Sequence, residues 1–305
     1  MLTTFTYIKR DSFVHRLDPR TKIILLFAYS FAVAQTSNFW LIAGGFLLTI
    51  IYFRLSRLRW EETKSTWKLV ITVSLILTIG NYLLSGGNIL QEVDSYRVHV
   101  LFSLPFLGFR PQLPYIGPAP LLFSVESIIF FFTQLMRNIG IATLGIIIPY
   151  TVDPSHMGVA FRGLGIPDKF AYAIDLSFRF LPTVVRDFDT TLAAQRARGF
   201  EIDNLRGGPF GKVMRITPLI LPVVIGSILG AEDIINAMEL RCFGVTKRSW
   251  FIQLQMKRAD IVLVSIGISF FVLLTLLNIA GSFYGQGPLH FTHTQGIPSF
   301  LLGGH

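Results

Sequence analysis

Apolar runs separated by polar stretches dominate the chain. The first two, residues 23–36 and 39–53, flank the polar Thr36-Ser37-Asn38, and each is short. A hydrocarbon core of about 30 Å takes about 20 helical residues to cross, so each run recruits flanking residues or thins the bilayer. One long helix across both runs is the competing reading. The polar break and Trp40, an aromatic suited to a membrane boundary, favour a helical hairpin. Residues 67–84 form a third span that ends at Ser85-Gly86-Gly87. Residues 121–150 form a fourth, about 45 Å long if wholly helical, which tilts or projects past the bilayer. Residues 259–283 form the last.

Between the fourth and last spans the pattern changes. Residues 151–258 keep a helical rhythm but carry fourteen bases and ten acids. Asp153-Pro154-Ser155 reads as a helix start, and Gly163-Leu164-Gly165-Ile166-Pro167 as a stop followed by a new start. One long helix runs from about Pro167 to Arg198 and is ended by Gly199. Gly207-Gly208-Pro209 punctuates the turn that follows. A second long helix runs from about Lys212 to Arg241 and ends near Gly244. Pro182, Pro218 and Pro222 should bend these helices. Residues 216–231 admit two readings: a further span, or the apolar middle of a long helix packed on its partner helix and the membrane boundary. The two internal prolines and the short length favour the second.

Composition sharpens this. Of 305 residues, 51% are hydrophobic and only 15% charged, against about 25% charged in a soluble domain. The net charge of +9 could suggest nucleic acid, but the bases are not spread as a nucleic-acid surface would need. Five lie in 1–22, five in 54–68, fourteen in 151–258, only two in 85–120, and none in 282–305. That is the positive-inside pattern of a multispanning protein of the cell membrane. It excludes nucleic acid as a partner and makes the lipid bilayer one. It also puts the N-terminus in the cytoplasm, with 85–120 and the 284–305 tail outside.

Residues 1–22 mix bases, acids and Pro19 and do not read as a signal peptide. The proline-rich 85–120 stretch is long for a loop and has room for a small hairpin or a re-entrant piece. Cys242 is the single cysteine, so there is no internal disulfide. Arg137 lies within the fourth span, where charge is costly and often functional. It either faces the bundle and pairs with Glu126 or backbone carbonyls, or it serves transport. His290, His293 and His305 are too loosely spaced for a metal site and read as a disordered end.

Neither a Walker-type nucleotide loop, nor zinc-like ligand spacing, nor a Gly-x-Ser-x-Gly elbow occurs. No catalytic residue, metal or cofactor is therefore expected, and the chain reads as a non-enzyme. What stands out is a repetition. The first long helix ends Arg196-Ala197-Arg198-Gly199-Phe200 and the second Glu239-Leu240-Arg241-Cys242-Phe243. Each places an arginine at a helix C-terminus, which the helix dipole favours on its own. Two such tips side by side would suit a paired partner surface, each guanidinium bonding carboxylates or backbone carbonyls.

Together with Arg16-Leu17-Asp18-Pro19-Arg20-Thr21-Lys22, Asp153-Pro154 and Leu176-Ser177-Phe178-Arg179-Phe180-Leu181-Pro182, these tips give the chain a resemblance to a known family. Over most of residues 7–283 it resembles the transmembrane T component of energy-coupling factor (ECF) transporters, which include cobalt-type permeases. The resemblance implies an all-α polytopic membrane protein with about five transmembrane helices and a cytoplasmic coupling module of two long crossed helices plus a short one. It divides the chain into spans 1–150, coupling helices 151–258, a last span 259–283 and the tail. It also implies docking of the arginine motifs onto two ABC ATPase subunits. Their ATP-driven motion would reach a substrate-binding membrane subunit for uptake of a vitamin or transition-metal ion. Ala197-Arg198-Gly199 matches the docking motif unchanged. Leu240-Arg241-Cys242 matches in part, with Leu and Cys replacing the usual Ala and Gly. Arg196, Phe200, Glu239 and Phe243 support the two tips. A permease working alone and a membrane-embedded enzyme using Arg137 and Glu126 are the alternatives.

Overall fold

The computed structural model describes residues 7–84, 100–112, 115–199, 209–245, 250 and 252–284. The chain forms two compact units, one of Ile8–Thr151 with Gln255–His305 and one of Met1–Tyr7 with Val152–Leu254.

The first unit is a bundle of α1 (Pro19–Ala34), α2 (Phe39–Leu55), α3 (Trp60–Leu84), α4 (Val125–Thr151) and α8 (Arg258–Tyr284). Helix α4 packs on α1, α2 and α3, and α8 packs on α1. The polar break between the first two runs is a helix start: the Asn38 side chain accepts the N–H groups of Trp40 and Leu41 at 3.0 and 3.3 Å, an N-cap that opens α2. The hairpin reading of 23–53 is therefore the one the chain adopts. Helix α3 begins seven positions before the expected 67, at Trp60. Its first turn is acidic, with Glu61 and Glu62, and Glu62 accepts the Arg59 N–H at 3.2 Å, so these polar residues start the helix instead of preceding it.

Small residues let the helices approach. Tyr29 of α1 lies against Gly45 of α2 and Gly140 of α4, where a Cβ would come within 3.1 and 2.6 Å of its ring and hydroxyl. Gly267 of α8 leaves room for Leu25, which a Cβ would meet at 2.8 Å. This is how helices gain contact where lipid removes the hydrophobic drive between them.

A helix end in a nonpolar setting must find partners for its orphan groups, and in this unit other helices supply them. The Asp18 N–H donates to Asp260 of α8 at 2.9 Å. At the far end of α1, the Gln35 carbonyl accepts from Asn278 at 2.9 Å and the Thr36 carbonyl from Arg137 at 2.6 Å. Helices α1 and α8 therefore run parallel along their length. Buried Lys22 donates to the Thr151 carbonyl and hydroxyl, both at 3.1 Å, closing the end of α4. Arg137 thus finds the backbone-carbonyl partner that the structural reading of it expects, while the Glu126 side chain lies outside the described residues.

Residues 8–18 are tied down as well. Ile8 donates to the Tyr150 carbonyl at 3.1 Å, and Arg10 reaches the Arg57 carbonyl at 2.9 Å and Glu62 at 2.6 Å. His15 Nε2 lies 3.1 Å from the Ile8 carbonyl, and its Nδ1 lies 2.7 Å from the Ser12 hydroxyl. A carbonyl can only accept, so Nε2 carries the proton and Nδ1 accepts from Ser12.

Within the proline-rich stretch, β1 (Val100–Gln112) and β2 (Tyr115–Ser124) pair antiparallel from Val100↔Ser124 to Gln112↔Tyr115. Residues 121–124 were expected to begin the fourth helix and instead end this hairpin. A short apolar run such as Leu121-Leu122-Phe123 fits strand and helix equally.

The second unit contains a 3-10 turn at Pro154–His156, α5 (Met157–Gly163), α6 (Asp168–Ala197) and α7 (Pro209–Leu240). Asp153 starts it by accepting the Ser155 N–H at 2.9 Å. Helix α5 lies close on α6 because Gly158 has no side chain: a Cβ would meet Asp175 Cβ at 2.5 Å and the Ala171 carbonyl at 2.8 Å. Among the described residues, α3, α4, α7 and α8 each contain a stretch long and apolar enough to cross a membrane, and α2 is a shorter apolar helix. The protein is an all-α polytopic membrane protein that carries one β-hairpin among its described residues.

Candidate partner-docking site

The two arginine tips share one backbone design. In α6, Arg198 is the C-cap and Gly199 follows at φ +81°. The Gly199 N–H bonds to the Arg196 carbonyl at 3.0 Å. In α7, Arg241 follows the last helical residue and Cys242 stands at φ 52°. The Cys242 N–H bonds to the Glu239 carbonyl and the Phe243 N–H to the Met238 carbonyl, both at 2.9 Å. That pair of bonds is the Schellman closure of a helix, which needs a left-handed residue directly after the cap. The motif is thereby explained locally: the arginine is the cap, and the third position must take a positive φ. Glycine does this without strain, whereas a residue with a Cβ pays about 1–2 kcal/mol. Cys242 accepts that strain, so the departure from glycine keeps the shape and loses some stability.

Ala197, Arg198 and Gly199 are exposed, as are Leu240, Arg241, Cys242 and Phe243. Leu240 is 87% exposed. A large apolar side chain left in the open beside a cation suits an interaction surface. Arg196 and Glu239 act through their carbonyls, which receive the cap N–H groups. Phe243 lays its ring on Tyr172 of α6, centroids 4.7 Å apart. Phe200 lies outside the described residues.

The tips are not side by side. Gln195, three residues before Arg198, donates to the Pro218 carbonyl near the start of α7 at 3.3 Å. Phe243, just past the end of α7, sits on Tyr172 near the start of α6. The two helices are therefore antiparallel neighbours. The 26 residues from Tyr172 to Arg198 separate the tips by about 39 Å at the helical rise. The expectation of adjacent arginines is corrected to arginines at opposite ends of one helix pair. The reason is connectivity: α6 ends at Ala197 and α7 starts at Pro209, and consecutive helices so close in sequence reverse direction, so their C-termini point apart.

The Gln195 bond has its own cause. In an unbroken helix the Pro218 carbonyl would accept the N–H of residue 222, but residue 222 is proline and has none. The orphaned carbonyl is satisfied across the pair by Gln195. Sequence reading missed Gln195 and Tyr172; the Pro-x-x-x-Pro spacing at 218–222 is a visible signal that a partner side chain is required. No group of three or more His, Cys, Asp or Glu among the described residues could hold a metal ion.

Comparison with known proteins bears on these tips. The model of the family described as cobalt transport protein (CbiQ) matches residues 10–250, which include both tips. The energy-coupling factor transporter transmembrane protein EcfT of Leuconostoc gelidum subsp. gasicomitatum is 27% identical over 290 residues, covering 89% of this chain and 97% of the relative. The proteins of the same name from Lactococcus lactis subsp. cremoris and Staphylococcus aureus are 28% and 25% identical. They cover 85% and 90% of this chain, and 91% and 96% of their own lengths. With its family model matched over most of its length, the chain belongs to the cobalt transport protein family and is a transmembrane component of the energy-coupling factor kind.

Proposed function

We propose that this chain is the energy-coupling subunit of an ECF-type importer, with Arg198 and Arg241 docking onto two ABC ATPase subunits. The observation that carries the reading is the pair of matched caps: two long helices of one unit, each closed by an exposed arginine followed by a left-handed residue. A capping arginine extends past the last turn, where its five donors can reach the carbonyls and carboxylates of a partner groove. Their separation of about 39 Å fits two partner subunits better than one small groove. The chain's own role is to carry motion to a substrate-binding membrane subunit, which selects a vitamin or a transition-metal ion.

The same geometry supports α6 and α7 as a cytoplasmic coupling pair despite the apolar stretch of α7. Helix α6 carries Asp168, Lys169, Asp175, Arg179, Arg186, Asp187, Asp189 and Arg196 along its length. It also packs against α7 near both ends. A vertical α7 would draw those charges across the hydrocarbon, at about 2.5–3.5 kcal/mol for each one placed centrally. Lying along the boundary, α7 turns Ile220, Leu221, Val224, Ile225, Ile228 and Leu229, all exposed, toward lipid or membrane partners. The N-terminus is cytoplasmic in this arrangement.

The test is co-purification and uptake. Arg198→Ala and Arg241→Ala should each weaken retention of the ATPase subunits, and the double variant should abolish uptake. Normal ATPase retention and transport in the double variant would overturn the reading, and uptake by the chain alone in liposomes would replace it with a permease.

A further inference from the structure

The tip of α7 is braced from outside its own helix. Phe243 stacks on Tyr172 with centroids 4.7 Å apart and planes at 37°. The Tyr172 hydroxyl lies 3.8 Å from Met238 Sδ, and Met238 supplies the carbonyl that receives the N–H groups of Arg241 and Phe243. One side chain of α6 thus touches the residues on both sides of the Arg241–Cys242 cap. Farther on, the Arg162 guanidinium lies over the Trp250 ring, 5.6 Å from its centroid, and pairs with Asp168 at 2.6 Å. The chain leaving α7 is therefore caught twice at the corner where α5 passes into α6.

The two tips do not need this brace equally. Gly199 takes its positive φ without strain, but Cys242 takes it with a Cβ, which weakens the cap that aims Arg241. A loosened cap would let the arginine yield under load instead of transmitting it. Aromatic stacking on Tyr172 supplies the stiffness that the cap lacks.

We propose that Tyr172 is a positioning residue for Arg241, fixing the second tip to the start of α6 so that tip and helix move as one body. The proposal rests on the docking reading. It also makes α6 a rod between the two docking points, since Arg198 is its other end.

Cys242 is the chain's single cysteine and its thiol is exposed, so a nitroxide placed on it reports the motion of this tip directly. Spectra are recorded from the full-length chain in nanodiscs for the unaltered protein, Tyr172→Phe and Tyr172→Leu. Uptake is measured on the unlabelled complexes with the ATPase subunits that co-purify. Tyr172→Phe keeps the ring and should match the unaltered chain in both. Tyr172→Leu should speed the label's motion and lower uptake, each by about three- to tenfold, the size of a lost aromatic pair. An unchanged label spectrum or full uptake in Tyr172→Leu overturns the brace, as does a Tyr172→Phe variant as mobile as the leucine one. If Tyr172→Leu does not fold, Phe243→Leu removes the other ring from an exposed position and is read the same way. Arg241→Ala separates the two claims. If it keeps ATPase retention and uptake intact, the docking reading fails; if it loses them, only the tyrosine variants decide the brace.

Discussion

The Asp260 carboxylate accepts the backbone N–H of Asp18 at 2.9 Å, joining residues 242 positions apart. Its second oxygen accepts the Lys257 N–H, also at 2.9 Å. One carboxylate, 1% exposed, thus closes the starts of two parallel helices, α1 and α8. Removing it orphans the Asp18 amide in a buried place and frees the part-buried Lys257 amide. Asp260→Ala should lower stability by about 3 kcal/mol, as expected for two bonds to a charged acceptor. Asp260→Asn, with one acceptor oxygen, should lose about half of that. Thermal unfolding in detergent measures both, and an unchanged midpoint in the alanine variant would show that the bridge carries no load.

Acid should loosen the N-terminal segment through His15. Burial lowers its pKa from the ordinary 6.5, Lys22 and Arg10 add to the effect, and the Ile8 carbonyl and Asp11 oppose it. The folded ring therefore takes a proton less readily than the unfolded one. Stability should hold above about pH 6.5 and fall as pH drops below it, levelling once the folded ring also protonates. The melting midpoint of the unaltered chain should fall between pH 7.5 and 5.5 by more than that of His15→Asn. Equal pH dependence in the two chains would remove His15 as the cause.

The φ of 52° at Cys242 makes a graded prediction. Cys242→Gly should leave ATPase retention intact or improve it, because it relieves the left-handed strain of about 1–2 kcal/mol. Cys242→Val, branched at Cβ, should weaken retention clearly. A valine variant that binds as well as the glycine one would mean that the cap does not hold this conformation.

Gly158 should tolerate no side chain. A methyl there meets Asp175 and the Ala171 carbonyl, and the latter is backbone that cannot swing aside. Gly158→Ala should cost about 1–3 kcal/mol by prying α5 from α6. Limited proteolysis of the unit containing 152–254 should quicken in this variant, and unchanged proteolysis would mean that the close approach is absent.

Much of the architecture is legible in the chain because membrane helices announce themselves by apolar length. The break at Asn38, the start at Asp153-Pro154 and the stop at Gly199 are local signals, set by side chains within three residues of the bond they make. The arginine tips are legible for the same reason, since a cap is written in adjacent residues. The bridge from Asp260 to Asp18 is not, because no local pattern tells a capping aspartate that a distant helix start needs its other oxygen. The opposed placement of Arg198 and Arg241 lies between these cases. It followed from the short separation in sequence between the end of α6 and the start of α7, and the similarity of the two motifs drew attention to likeness instead of direction. The 121–124 strand escaped because three apolar residues, Leu121-Leu122-Phe123, carry no period.

If the tips are docking points as proposed, their placement at opposite ends of one antiparallel pair decides what kind of movement the pair can pass on. If the proposed partners grip one end each and shift in opposite directions across the pair, they apply equal and opposite forces along lines about 39 Å apart. Such forces have no net push, only a moment. The pair would then turn about its middle, near Pro182 of α6, and whatever rests on the exposed face of α7 would be tipped rather than lifted.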